Sequence, residues 1–152
     1  MNVQSFDSMI EWTKDLHYQL AEVLAEAQRV QLDERSKWLL NYLKEQEVRL
    51  GDMVEGFQDQ AEEKALNSQI YDWESHTPDE LASYTDKPFG TMSYDDVAEH
   101  VLHAHNEIML LYRYLLSRYS IAEERTLMEG LLNMEERETM QISQNINRGR
   151  DM

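Results

Sequence analysis

Apolar residues recur every three or four positions over four long stretches of this chain, which is the period of an amphipathic helix. Phe6, Ile10, Thr13, Leu16/His17, Leu20, Val23/Leu24 and Ala27 predict a first helix over about 5–30. Leu39, Leu43, Gln46, Leu50, Met53/Val54 and Phe57 predict a second over about 34–64, opened by Asp33 as its cap. Gly51 and Gly56 weaken that helix locally, by about 1 kcal/mol each relative to alanine, without ending it. Val97, Val101, Ala104, Ile108, Leu111 and Leu115 predict a third helix over about 93–119, capped by Ser93 with Asp96 three residues on. Met128, Leu132, Glu135, Thr139, Ile142 and Ile146 predict a fourth over about 121–147, opened by the capping box Ser120-Ile121-Ala122-Glu123.

The segment 65–92 breaks the pattern. It holds both prolines, Pro78 and Pro88, and the aromatics Tyr71, Trp73, Tyr84 and Phe89. Thr77-Pro78-Asp79-Glu80 predicts a short helix within it: a threonine cap, proline at the first position and glutamate at the third. The expectation is an all-α single domain of two helical hairpins, with short connections inside each and a long crossover between them. Such a crossover lets the second and third helices run parallel.

Composition narrows the function classes. Acidic residues outnumber basic ones 30 to 14, a formal charge of −16. That argues against a general nucleic-acid binder, which needs a basic face to release phosphate counterions, and against an anionic membrane surface as partner. The absence of cysteine excludes disulfides, thiolate catalysis and cysteine-ligated metals, and fits a cytoplasmic protein. No stretch approaches the roughly 20 apolar residues needed to span a bilayer. The segment 1–14, with Asp7 and Glu11, reads as neither signal peptide nor anchor.

Glu47 and Glu136 each lie four residues after a leucine, Leu43 and Leu132, beside the stripe of helices 2 and 4. With the helix order and crossover, this resembles the ferritin-like superfamily, closer to rubrerythrin-type carboxylate bundles than to shell-forming ferritins. The resemblance implies a glutamate from helices 1 and 3 and Glu-x-x-His from helices 2 and 4. Carried across, Glu47, Glu107 and Glu136 are kept. Leu50 and Thr139 stand where both motif histidines belong, and helix 1 offers Leu16 or His17 in place of a glutamate. Leucine offers no lone pair, so the resemblance does not extend to an intact di-iron centre.

Two readings of the chemistry stay open. In one, the bundle is degenerate: a non-catalytic binding or structural protein, self-associating as a homodimer, in which the glutamates reach solvent or Arg49, Arg113 and Arg137. In the alternative, a non-standard site of Glu47, Glu107 and Glu136, joined by His103, His17 and His100, binds iron or manganese and supports oxidoreductase activity. Carboxylate and imidazole suit those metals. His100, His103 and Glu107 share one flank of helix 3, while His105 is expected off that face and in solvent.

Overall fold

A computed structural model describes residues 5–71, 83–119 and 121–151. The described residues are all-helical, apart from an isolated backbone bridge between Ser5 and Gln69. Helices α1 (Phe6–Val30), α2 (Glu34–Gln60), α4 (Tyr94–Arg118) and α5 (Ala122–Arg150) are long, and α3 (Glu63–Leu66) is a single turn. Two 3₁₀ turns, Tyr84–Asp86 and Phe89–Thr91, precede α4. None of these helices is long and apolar enough to cross a membrane.

Two of the starts, at Asp33 and Ser93, have the expected chemistry, and Ser5 adds a third cap. Ser5, Asp33 and Ser93 are extended N-caps whose side chains accept from the backbone N–H groups of Ser8, Ser36 and Asp96. Each satisfies one of the donors a helix leaves free at its N-terminus. The second helix stops at Gln60, short of the expected 64, because Ala61 turns extended before α3 begins. The fourth helix continues to Arg150, past the expected 147. Its N-cap is Ile121, with no side-chain cap bond; Ser120 and the short helix expected at Thr77–Glu80 lie outside the described residues.

Residue pairs give the direction of each helix. Between α1 and α2, Gln58 reaches Asp7 and Glu11, and Tyr18 reaches Asp52, so the two are antiparallel. Between α4 and α5, Tyr94 donates to the Ile146 carbonyl and Arg113 faces Glu136, which is again antiparallel. Phe6 stacks edge-on against Tyr119, while His17 lies against His105. Hence α4 runs opposite to α1 and parallel to α2. Two hairpins therefore lie side by side, and the crossover carries the chain back along the bundle.

Each long helix buries a broad face. On α4 it takes in Val97/Ala98, Val101, Ala104/His105, Ile108/Met109, Leu111/Tyr112 and Leu115. A helix touching more than one neighbour needs a stripe wider than the two-position seam of a coiled coil. The core is apolar over most of its length, with Phe6, Leu24, Leu39, Leu43, Val101, Met128 and Leu131 fully enclosed. Glycines let large side chains cross the helices closely: Tyr18 lies over Gly51, Phe57 over Gly130, and Trp38 with Tyr94 over Gly149.

Candidate metal centre

Midway along the bundle the apolar core is interrupted. His17, Glu47, His105 and Glu135 all have zero exposure, and each comes from a different long helix. Each is enclosed because its neighbours one turn away are core residues. His17 lies between Thr13 and Leu20/Ala21, Glu47 between Leu43 and Leu50, His105 between Val101 and Ile108/Met109, and Glu135 between Leu131/Leu132 and Thr139. The charges of the buried acids cost several kcal/mol each to desolvate, and partners must offset that cost.

The partners are mutual. His17 Nδ1 lies 2.6 Å from Glu47 Oε2, and His17 Nε2 lies 2.7 Å from Glu135 Oε1. Both ring nitrogens therefore face carboxylate oxygens, and both donate when His17 is an imidazolium. Burial alone would push the His17 pKa down. The charges of Glu135 and Glu47 outweigh burial and raise it to about 10. Burial alone would likewise push the Glu47 carboxyl up, but His105 and His17 hold it down at about 2. His105 Nε2 hydrogen-bonds Glu47 Oε1, and its Nδ1 lies 3.2 Å from the Thr139 hydroxyl. A hydroxyl donates or accepts, so Thr139 suits either tautomer of that ring.

Two oxygens next to this network have no hydrogen-bond partner among the described residues: Glu135 Oε2 and the Tyr112 hydroxyl. Burial pushes the Tyr112 phenol well above its ordinary pKa; the Glu135 charge adds to that, and the Thr13 hydroxyl, which approaches the phenol without reaching ordinary hydrogen-bond geometry, opposes it.

Of the residues singled out in the sequence, the structure brings His17 and Glu47 together. It places the others elsewhere. Glu107 is half-buried on the flank of α4, with His103 3.4 Å away at the surface. His100, one turn earlier, places its Nδ1 2.8 Å from the Asp96 carbonyl. Glu136 is exposed and faces Arg113 at 3.4 Å. The acid that enters the core of α5 is its neighbour Glu135. His105 was expected in solvent and is instead fully buried. The buried face of α4 is wide enough to include it, and Val101, Ile108 and Met109 around it carried that signal. Leu50 is packed in the core, and Thr139 is engaged by His105.

Among the described residues, one set of three potential ligands converges: His17, Glu47 and His105, with a donor atom from each lying within 4.8 Å of the others. His17 presents Nδ1 to this set and keeps Nε2 on Glu135. His105 presents Nε2 and keeps Nδ1 on Thr139. In both rings the nitrogen pointing away from the centre already has an oxygen partner, as in histidines that bind metals. No family model, curated protein or solved structure matches the chain.

Proposed function

We propose that this chain is a metal-binding, ferritin-like bundle in which His17 Nδ1, Glu47 and His105 Nε2 hold one divalent transition-metal ion. Glu135 and Thr139 orient the two imidazoles. The observation that carries this reading is the convergence of two imidazoles and a carboxylate from three helices at zero exposure. The donor set also fits: two nitrogens and one hard oxygen suit iron, manganese or zinc. A six-ligand di-iron centre does not fit, because the Leu50 side chain has no donor and Thr139 is turned to His105.

A bound iron or manganese supplies one-electron redox chemistry, and zinc supplies a structural clamp. The residues themselves do three things. Glu47 provides the negative charge that draws a cation into an otherwise apolar core. Glu135 would accept the Nε2–H hydrogen bond of His17, and release of the Nδ1 proton to solvent on binding would free that nitrogen for the ion. The core residues around them keep the centre out of contact with bulk solvent.

The second reading is a metal-free binding or structural bundle with the cluster as an ionic pin. It is favoured by the fact that all four ring nitrogens of the two imidazoles already face protein oxygens. A homodimer and a cytosolic setting belong to either reading. The half-exposed Trp38, stacked on Tyr42, and the exposed Met140 support the first of these; the lack of cysteine supports the second.

Elemental analysis of the protein as purified, and after anaerobic Fe(II), Mn(II) and Zn(II) loading, tests the proposal. One ion per chain, lost in Glu47→Gln and in His105→Gln, is the expected result. No stoichiometric metal in any preparation leaves the ionic pin as the function of the cluster.

A further inference from the structure

The unpartnered oxygens of Tyr112 and Glu135 are complementary. A phenol must donate and a carboxylate oxygen must accept, and each costs about 1–3 kcal/mol if left bare in the core. They occupy the same level of two packed antiparallel helices: the next residue on each, Arg113 and Glu136, form a pair at 3.4 Å. Thr13 comes to this level from α1, one turn before His17, and is itself fully buried. Its hydroxyl donates to the Met9 carbonyl at 3.1 Å, which leaves its oxygen free to accept. No direct hydrogen bond joins Tyr112 to Glu135.

We propose that Tyr112, Glu135 and Thr13 hold one buried water, which accepts from the Tyr112 phenol and donates to Glu135 Oε2 and Thr13 Oγ1. That gives the water three hydrogen bonds, the usual number for a water enclosed in a protein. Through it Tyr112 fixes the rotamer of Glu135, and Glu135 in turn fixes the ring of His17. Tyr112 is thus a positioning residue two steps removed from the metal ligand. The influence of the Glu135 charge on the Tyr112 phenol agrees with that closeness. The positioning role rests on the metal-binding reading; the water does not.

The test is a crystal structure of the full chain at a resolution that orders waters, with Tyr112→Phe beside it, and a Co2+ titration of both proteins. One water within hydrogen-bond distance of Tyr112 Oη and Glu135 Oε2 is expected in the wild type and not in the variant. Co2+ affinity should fall by up to about tenfold in the variant with the stoichiometry unchanged, at the low end of what outer partners of a ligand contribute. A direct bond between Tyr112 and Glu135, or no density between them, overturns the water. Equal Co2+ affinity in the two proteins overturns the positioning role. A wild type that takes up no Co2+ refutes the metal-binding reading and the positioning role with it, and the wild-type density alone then decides the water.

Discussion

Replacing Glu47 by glutamine keeps the shape of the side chain and one acceptor oxygen but removes the charge between two buried imidazoles. A carboxyl held at about 2 rather than its ordinary 4.5 corresponds to about 3 kcal/mol of folding stability in the metal-free protein, each tenfold in acidity being about 1.4 kcal/mol. The same figure is the low end of what breaking a buried ion pair costs, because the partner charge stays behind. For a chain of this length, about 3 kcal/mol lowers Tm by about 6–12 °C. The assay is differential scanning calorimetry in EDTA near pH 5.5, wild type against Glu47→Gln. Adding Zn2+ or Co2+ at about a hundred times its Kd should then raise the wild type by a further 2.7 kcal/mol or so, and should not raise the variant. A variant whose Tm in EDTA stays within about 2 °C of the wild type would refute the electrostatic reasoning, since the pair would then contribute no net stability.

The metal-free protein should be most stable between about pH 4.5 and 6.5. Glu47, with a depressed pKa, contributes fully above 4.5 and loses its contribution as pH falls towards about 2; His17, with a raised pKa, contributes fully below 6.5 and loses its contribution as pH rises towards about 10. Calorimetry across that range should show both limbs in the wild type, the acid limb flattened in Glu47→Gln and the alkaline limb in His17→Gln. The two glycines of α2 should respond in opposite directions. Gly56→Ala meets open space and gains about 0.5–1 kcal/mol from helix propensity, whereas a Cβ at Gly51 comes within 2.5 Å of a Tyr18 ring that is tethered to Asp52, and the overpacking costs about 1–3 kcal/mol. Urea unfolding of both variants separates them, and a stabilised Gly51→Ala would show that the ring gives way freely. Tyr94→Phe, which removes the buried hydroxyl that donates to the Ile146 carbonyl at 2.6 Å, should cost about 1 kcal/mol in the same titration.

The apolar period and the capping residues determined the four long helices, since both act within a turn or two of the chain. Ser5 lay at the expected start of the first helix, Asp33 and Ser93 cap the helices they were expected to open, and the stripes of α1 and α5 carried His17 and Glu135 into the core, whereas Glu47, expected beside the stripe of α2, is enclosed in place of its neighbour Gln46. The end of α2 was less legible, because no proline or glycine marks the extended turn at Ala61. The same locality limited the reading of the site. Gln46 and Glu47 are adjacent on α2, and His103 and His105 are two apart on α4, so which of each pair is enclosed depends on how far each helix is rotated about its own axis. Rotation is decided by the packing of all four helices together. It turned Glu136 and His103 outward to Arg113 and Glu107, and brought Glu135 and His105 against residues more than 30 positions away in the chain. The residue types that can form a buried ionic centre are written in the sequence. Which of them meet is a property of the packed bundle, because a desolvated charge is tolerated only where other helices bring its partner.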